Sequence, residues 1–331
     1  MASSPVMVTG ASGFLGRSLA LALAAAGEPV VAPLRTPAAL PALRAARVNA
    51  VLADLTDPAS LDAALGPDLP SALVHCAGLS SAWGRAVDFE AANTVLSARL
   101  AAYAAARGIP LFVFISSSSV YFRFADQLGV AETAALPRPV NAYARSKRRA
   151  EEAVLATPGL RSVVLRPRGI YGAGDRALLP RLLAAAARGP LPCFRGGRAA
   201  IDLTHVDDVV GAILAVLAAP QRAQGRIFNV SGGQALPIRA IVETSAARAG
   251  ISVRWRALPW RPALAGLRTV EAFHHLFRPQ VEPRVTAYAA GLFAFSQTLD
   301  LSAIAGALGW RPRIGFEEGL RLTFTENRPW S

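Results

Sequence analysis

Two residues four positions apart, Tyr143 and Lys147, have the clearest chemical potential in this sequence. Lys147 is the one lysine among 35 lysine and arginine residues; every other member of that set is arginine. On a helix, positions i and i+4 lie on the same face, so the phenol and the ammonium would be presented together. An ammonium can shift its pKa on burial, whereas a guanidinium stays charged. Because a neighbouring cation favours the phenolate, the pair is predicted to transfer protons near neutral pH.

A glycine-rich turn near the N-terminus predicts a phosphate site. Gly10, Gly13 and Gly16 follow the apolar run at residues 6–8 and precede a helical run that ends near Gly27. Glycines at this spacing allow a tight turn and let the backbone approach a pyrophosphate at the helix N-terminus. A turn without a ligand is the simpler alternative, but the flanking strand and helix favour the dinucleotide site. Its expected contacts are Gly10, Ser12, Gly13, Phe14, Leu15 and Gly16.

The end of the second predicted strand bears on which dinucleotide is bound. NAD-specific folds place an acidic residue there to hold the ribose 2′-hydroxyl. This chain has Leu34 and Arg35 instead, and Arg35 is suited to a 2′-phosphate, so we expect NADP(H) to be favoured over NAD(H). A solvated arginine is the simpler alternative. Asp54, after the third strand, could accept a hydrogen bond from adenine or cap the helix that begins near Pro58.

Strand and helix patterns alternate along the chain. Five repeats of strand, crossover helix and strand predict a Rossmann-type, doubly wound parallel sheet of the α/β class. The predicted strands are residues 6–8, 29–35, 51–55, 73–78, 111–115, 163–167 and 226–230. We expect residues 1–167, completed by about 202–232, to bind the dinucleotide. Residues 168–201 and 233–331 are expected to form a smaller, mostly helical substrate-binding domain.

Composition narrows the possible partners. The 331 residues are 53% hydrophobic and carry a formal charge of +13, with a mean hydropathy of +0.34. No dense basic run interleaved with aromatics occurs, so nucleic acid is not expected as a partner. Cys76 and Cys193 form no disulfide or metal framework, which favours a reducing cytoplasm. The first strand begins too early to leave room for a signal peptide, and no apolar run approaches the roughly 20 residues of a membrane span.

No metal site is predicted. His75 has no partner ligands at suitable spacing and is interpreted as structural. His274 and His275 are adjacent on a predicted helix, so they do not share a face. Asp207 and Asp208 are also successive, which favours an electrostatic role at the N-terminus of the following helix over a catalytic carboxylate pair.

Five motifs together resemble the extended short-chain dehydrogenase/reductase superfamily, the NAD-dependent epimerase/dehydratase family. They are TGASGFLG at 9–16, HCAG at 75–78, SSSSVY at 116–121, YARSK at 143–147 and LRPRGIYGAGD at 165–175. The resemblance covers essentially the whole chain. It implies that Ser117 hydrogen-bonds the substrate oxygen, Tyr143 exchanges a proton, and Lys147 lowers the phenol pKa and holds the nicotinamide ribose. Ser116 and Ser118 flank Ser117, so a shift of one position stays open. Further cofactor contacts are expected at Leu55, Ala77, Gly78, Pro167 and Gly169.

Departures from the family pattern bear on the substrate. Nucleotide-sugar members usually read R-P-x-N-V-Y-G, with the Asn at the sugar nucleotide's phosphate, and this chain has Gly169 there. Ile201 replaces a phosphate-binding Arg, and serines replace the Asp-Glu that sugar dehydratases carry after their strand-end Thr. These differences argue against a nucleotide-sugar epimerase or dehydratase with tightly bound NAD, which stays as the alternative. A non-catalytic cofactor sensor is disfavoured because Tyr143 and Lys147 are both present.

The remaining features resemble the 3β-hydroxysteroid dehydrogenase branch. Residues 201–210, IDLTHVDDVV, are similar to its V-D-x-T-Y-V-x-N-V-V signature, although Asp208 replaces the Asn. Residues 82–84, 165–182 and 228–237 resemble OleD-type reductases, which reduce 2-alkyl-3-keto fatty acids with NADPH. We therefore expect an NADP(H)-dependent oxidoreductase that interconverts a ketone and a secondary alcohol on a long-chain acyl or steroid-like substrate.

Residues 255–295 combine aromatic residues with arginines. A core-facing helix pair is the simpler interpretation. The alternative is an apolar substrate lid that also touches an anionic membrane surface. The superfamily resemblance also implies a possible homodimer through helices near 88–107 and 142–156.

Overall fold

The computed structural model describes residues 4–66 and 69–325. Its strands are β1 Val6–Thr9, β2 Val30–Leu34, β3 Asn49–Leu52, β4 Ala72–His75, β5 Phe112–Ile115, β6 Gln127–Val130, β7 Ser162–Pro167, β8 Ile170–Tyr171, β9 Leu191–Phe194, β10 Ala200–Ile201, β11 Thr204–His205, β12 Ile227–Val230, β13 Leu236–Pro237, β14 Trp255–Leu258 and β15 Gln297–Leu299. Its helices are α1 Phe14–Ala25, α2 Leu40–Ala45, α3 Pro58–Leu65, α4 Ala86–Phe89, α5 Leu96–Arg107, α6 Ala142–Leu155, α7 Leu179–Arg188, α8 Val206–Ala218, α9 Pro220–Ala223, α10 Ile238–Arg248, α11 Trp260–Phe277, α12 Ala287–Ala294, α13 Ser302–Leu308 and α14 Phe316–Thr325.

The central element is a seven-stranded sheet in the order β12-β7-β5-β4-β1-β2-β3. Every pairing in it is parallel. The first crossovers run from β1 outward to β3, and the chain then returns to the other side of β1 with β4, which makes β1/β4 the topological switch point. The predicted doubly wound fold is confirmed. The seven predicted strands all occur, with ends that differ by at most three residues.

Helices cover both faces of this sheet, as a parallel sheet requires. Successive residues of a strand point to opposite faces. Met7 of β1 therefore packs in one apolar cluster with Leu100 of α5 and Val154 of α6. Val8 packs in the other cluster with Leu19 of α1, on the face that α8 also covers. Because helices bury both faces of the sheet, a ligand can reach it only at an edge. In doubly wound sheets the ligand site lies at the carboxyl edge of the strands.

The remaining strands form smaller sheets, one of four strands in the order β13-β10-β15-β6 and two pairs, β11-β8 and β14-β9. Helices α7, α10 and α14 enclose a third apolar cluster. Helix α12 contributes four buried residues, whereas α11 contributes none. The predicted core-facing helix pair is thus confirmed, but α11 packs along one side only, through the half-buried Trp260, Ala263 and Leu267. The spacing of apolar residues does not reveal whether another element covers the other side. No helix in the described ranges is long and apolar enough to cross a bilayer.

Candidate active site

The carboxyl ends of β1, β4 and β5 bring three sequence motifs to one edge of the sheet. Thr9 and His75 are paired at the ends of β1 and β4. The Thr9 hydroxyl accepts a hydrogen bond of 3.3 Å from the Ala77 backbone nitrogen. A Cβ placed on Gly10 would lie 2.6 Å from that same nitrogen, so Gly10 cannot carry a side chain here. The glycine loop and the HCAG turn are therefore in direct contact.

The glycine loop has the geometry of an anion site. Gly10 adopts φ +74°, which favours glycine. The Gly13 nitrogen donates to the Gly10 carbonyl at 2.9 Å, and a Cβ on Gly16 would overlap that carbonyl. Gly13 caps α1 without any side-chain hydrogen bond, and Ser12 and Gly13 are exposed. The N–H groups of the first turn, at Phe14 and Leu15, are thus available to a phosphate group. These residues fit a dinucleotide pyrophosphate.

Arg35 and Asp54 follow neighbouring strands, β2 and β3. The pKa of Asp54 is lowered by hydrogen bonds from the backbone and hydroxyl of Thr56, and further by the positive charges of Arg35 and Arg99. Arg35 is exposed. Helix α3 is capped by Asp57, whose carboxylate accepts a backbone hydrogen bond of 3.0 Å. The alternative in which Asp54 caps this helix is therefore wrong, and both Arg35 and Asp54 border the edge where a ribose would lie.

Tyr143 and Lys147 lie one turn apart on α6. The Lys147 ammonium donates a hydrogen bond of 2.8 Å to the Ile115 carbonyl at the end of β5. A Cβ on Gly78 would lie 3.5 Å from Lys147 Nζ, so the ammonium also faces the HCAG turn. Burial lowers the pKa of Lys147 to about 8. The single lysine is thus a buried cation that can gain or lose its proton near neutral pH.

The Tyr143 hydroxyl lies near the side-chain hydroxyls of Ser117 and Ser80. Burial raises the pKa of Tyr143, and these two hydroxyls oppose that shift without reversing it. Lys147 is not among the groups that shift this pKa, and its ammonium is directed to the Ile115 carbonyl. The raised pKa keeps the phenol protonated at neutral pH. Ser80, in the turn after β4, was not predicted.

The surroundings of the serines after β5 distinguish their roles. The Ser116 hydroxyl donates to the buried carboxylate of Glu151. That carboxylate also binds the Arg166 guanidinium at 2.9 and 2.5 Å. The Ser117 hydroxyl accepts a hydrogen bond of 3.2 Å from a backbone nitrogen in the next turn, and it lowers the pKa of the nearby Tyr143. The geometry therefore favours Ser117 over Ser116 as the partner of Tyr143.

Asn93 was missed as a site residue. It lies in a π-helical turn, Glu90–Val95, between α4 and α5, and such turns are frequent at functional sites. Its fully buried amide exchanges hydrogen bonds of 2.7 and 3.0 Å with the backbone of Leu79 and donates to Ser146 at 2.9 Å. It thus fixes the turn after β4 against α6. The signal available in the sequence was a polar residue at a position where the helical spacing predicts a buried apolar one.

His75 behaves as the sequence predicted. Its Nδ1 lies 2.8 Å from the Thr9 hydroxyl, and its Nε2 lies 3.0 Å from the Ser97 hydroxyl. Burial lowers the pKa of His75 to about 3, so the ring is neutral. With both nitrogens engaged by protein hydroxyls, His75 is structural.

A cavity of about 150 Å³ is lined by Asn141 and Ala142, which immediately precede Tyr143 at the start of α6. Its walls include Trp83, Phe89, Phe124, Tyr288, Arg268 and His275. The Phe89 and Tyr143 rings lie 6.2 Å apart. Burial raises the pKa of Tyr288 to about 12, with a smaller raising effect from Tyr143. A larger cavity of about 430 Å³, bordered by Glu28 and Arg161, lies at the opposite, amino edge of the sheet, away from every predicted site residue.

The NAD dependent epimerase/dehydratase family model matches residues 6–231. The chain belongs to this family. It is 31% identical over 330 residues to 2-alkyl-3-oxoalkanoate reductase from Stenotrophomonas maltophilia, covering 96% of this chain and 97% of that protein. It is similar to the structure of RMD from Pseudomonas aeruginosa complexed with NADPH, with a TM-score of 0.70, 26% identity and 98% of both chains covered. It is also similar to MoeE5 in complex with UDP-glucose and NAD, with a TM-score of 0.73, 26% identity and 97% of both chains covered.

The predicted superfamily and the resemblance to 2-alkyl-3-keto acid reductases are therefore confirmed. This family member is an NAD(P)-dependent oxidoreductase of the extended short-chain dehydrogenase/reductase class, which uses a nicotinamide dinucleotide.

Two positions that are polar in the nucleotide-sugar members of the family are enclosed by apolar groups. Gly169 adopts φ +47°, and a Cβ there would lie 2.6 Å from a methyl group of Leu203. Ile201 is buried in the third apolar cluster. The nearby Arg168 is buried and paired with Asp202 at 3.1 Å. Of the other predicted cofactor contacts, Pro167 is buried at the end of β7 and Leu55 is part-buried after β3.

An aromatic stack connects the turn after β4 to α11. The rings of Trp83 and His275 are stacked with centroids 4.1 Å apart. The His274 ring meets Trp83 edge-on, with centroids 6.1 Å apart, and its Nδ1 lies 2.8 Å from the Val281 carbonyl oxygen. Both histidines thus contact Trp83, and α11 closes one side of the cavity beside Tyr143.

Proposed function

We propose that this oxidoreductase is an NADP(H)-dependent ketone reductase for an apolar substrate, of long-chain acyl or steroid-like type. The observation that carries the proposal is the placement of Tyr143 on α6 one turn before the buried Lys147 and near the Ser117 hydroxyl, next to a cavity with aromatic walls. The relative from S. maltophilia, named for a 2-alkyl-3-oxoalkanoate substrate, supports the same class.

Ser117, Tyr143 and Lys147 are the proposed catalytic residues. In the direction of reduction, Ser117 and Tyr143 both donate hydrogen bonds to the ketone oxygen, which strengthen as negative charge develops there. Tyr143 then gives its proton to that oxygen, and its raised pKa ensures that the proton is present at neutral pH. The bound nicotinamide supplies the hydride. Lys147 holds its ammonium beside Gly78, where we place the contact with the nicotinamide ribose.

The residues that would hold the cofactor lie along the carboxyl edge of the sheet. The glycine loop would take the pyrophosphate through the first turn of α1. Arg35 would pair with a 2′-phosphate, and Asp54 would accept from adenine. The proposed set is Gly10, Ser12, Gly13, Phe14, Leu15, Gly16, Arg35, Asp54, Leu55, Ala77, Gly78, Tyr143, Lys147, Pro167 and Gly169.

The apolar surroundings of Gly169 and Ile201 support this function over a nucleotide-sugar epimerase or dehydratase. A cavity of about 150 Å³ is smaller than the roughly 300–1,000 Å³ of typical ligand pockets. We therefore infer that the reacting carbonyl lies in the cavity while the rest of the substrate extends past Trp83 along α11.

The proposal also assigns cofactor binding and substrate binding to different parts of the chain. Residues 1–167, completed by about 202–232, would bind the dinucleotide, and residues 168–201 and 233–331 would bind the substrate. A cytoplasmic homodimer, with peripheral access to a membrane, is the proposed working form.

The decisive assay follows NADPH oxidation by purified protein with a long-chain 2-alkyl-3-keto acid, with NADH as the paired cofactor and Tyr143→Phe as the inactive control. Rapid turnover with NADPH supports the function. Turnover of a UDP-sugar without a keto acid reaction would replace it with the epimerase alternative.

The role of Arg35 is tested with the variant Arg35→Ser. We expect its KM for NADPH to rise at least ~10-fold, while its KM for NADH changes little. Equal effects on both KM values would contradict the role of Arg35.

A further inference from the structure

Helix α11 faces in two directions. Its inner face contributes Arg268, Glu271 and His275 to the wall of the cavity beside Tyr143. On its opposite side, about half a turn away, Phe273 and Phe277 are 50% and 65% exposed. None of the 18 residues of α11 is buried. The helix is therefore held to the protein along one side only.

The exposed side of α11 continues into an apolar surface that we call the α11 outer face. It comprises Val270, Phe273, Leu276, Phe277, Val281 and Val285. These are six of the 14 exposed large apolar residues in the described chain, and the other eight are scattered from Leu52 to Leu214. Single exposed apolar residues are ordinary, whereas a contiguous group marks an interaction site. The Phe273 and Phe277 rings, 5.0 Å apart, form its centre.

The charge around this face is mainly positive. Residues 254–285 contain six arginines and two glutamates. Glu282 is paired with Arg181 at 3.2 Å, and Glu271 accepts a backbone hydrogen bond of 2.7 Å. Arg278 and Arg284 are exposed and form no ion pair with the residues that the structure describes. An apolar centre beside uncompensated arginines is complementary to a lipid bilayer with anionic headgroups.

We propose that the α11 outer face docks this protein on the surface of an anionic bilayer. The aromatic and aliphatic side chains enter the boundary between headgroups and acyl chains, while Arg278 and Arg284 bind the headgroup phosphates. A second copy of the chain fits this face less well, because a symmetric contact would bring the same arginines together. Given the proposed function, the inner face of the same helix would receive an apolar substrate directly from the bilayer.

Two leucines provide a matched test. Leu276 on the outer face is 73% exposed, and Leu128 on β6, remote in sequence from α11, is 71% exposed. We would measure cosedimentation of wild type, Leu276→Ser and Leu128→Ser with vesicles of phosphatidylglycerol and phosphatidylcholine, and with vesicles of phosphatidylcholine alone, without substrate. We expect wild type to bind the anionic vesicles, Leu276→Ser to lose about 10-fold in affinity, and Leu128→Ser to match wild type. Added salt should weaken binding of wild type.

Several outcomes would overturn the proposal. One is that wild type fails to bind anionic vesicles, and another is that the two variants bind them equally. A third is that no vesicle binding occurs and light scattering shows an oligomer in wild type that is lost in Leu276→Ser. This third outcome would assign the face to self-association. Turnover of a short, water-soluble 3-keto ester separates this proposal from the catalytic one, since Leu276→Ser should equal wild type there. Vesicle binding without turnover of any ketone would leave the docking face standing and reject the proposed reaction.

Discussion

At the scale of single residues, Ser117 and Ser118 offer a direct comparison. Both are serines in the turn after β5, but the Ser117 hydroxyl lies near Tyr143 and lowers its pKa, whereas Ser118 is buried and has no such effect. We expect Ser117→Ala to lower kcat by roughly 10²–10³, because a donor to the developing negative charge is lost. Ser118→Ala should stay within about threefold of wild type, as measured by steady-state kinetics. Comparable losses in the two variants would show that the turn, rather than the Ser117 hydroxyl, matters.

Lys147 should leave a signature in the pH dependence of stability. Its pKa is about 8 in the folded protein and about 10.4 in an unfolded chain. Between these values the unfolded state binds more protons, so this group's contribution to the free energy of unfolding rises with pH. Compared with Lys147→Met, which has no such proton, wild type should gain about 2 kcal/mol between pH 8 and pH 10. Denaturant titrations of both proteins would measure this difference, and a constant difference would rule out a depressed pKa.

At the scale of elements, α6 carries two neighbouring glutamates in different settings. Glu151 is buried and binds Arg166 and Ser116, which ties α6 to β7 and β5. Glu152 pairs with Arg148 at 3.0 Å on the exposed side of the same helix. Glu151→Gln should destabilise the protein by about 3–5 kcal/mol, because Arg166 keeps a buried, uncompensated charge. Glu152→Gln should cost under about 1 kcal/mol.

Unfolding of the two glutamine variants in urea would measure both free energies. The proposed anchoring of α6 would be contradicted by similar, small losses. Because the Glu151 charge also raises the pKa of Lys147, Glu151→Gln should shift the Lys147 titration to lower pH, which a merely local packing defect would not do.

At the scale of the whole molecule, local patterns predicted the sheet but not every contact across it. Apolar runs and the glycine loop suffice to predict a doubly wound parallel sheet, since parallel crossovers leave few topologies. Ser80 and Asn93 were not identified because their partners are distant in sequence, Tyr143 and Ser146 among them. The sequence left the exposed side of α11 as one of two alternatives for a related reason. Helical spacing identifies an apolar face, but only the packing of other elements determines whether that face is covered.

Another long-range contact joins the C-terminal segment to helix α8. The carboxylate of Asp208, at the start of α8, accepts hydrogen bonds of 2.9 and 3.1 Å from the backbone nitrogens of Arg313 and Ile314. Asp208 is buried, whereas the side chain of Asp207 is 61% exposed. Both lie in the first turn of α8, as the electrostatic interpretation predicted. The sequence therefore could not distinguish the two aspartates. The structure shows that Asp208 also holds the C-terminal segment through the backbone of Arg313 and Ile314.

We expect Asp208→Asn to lower the free energy of unfolding by about 1–3 kcal/mol, because an amide nitrogen cannot accept the second backbone hydrogen bond. Asp207→Asn should change it by less than about 0.5 kcal/mol. Hydrogen exchange would localise the effect: Arg313, Ile314 and the first turn of α14 should exchange faster in Asp208→Asn, while β1 and β4 keep wild-type protection. Faster exchange throughout the sheet would mean that Asp208 stabilises α8 itself rather than the attachment of the C-terminal segment.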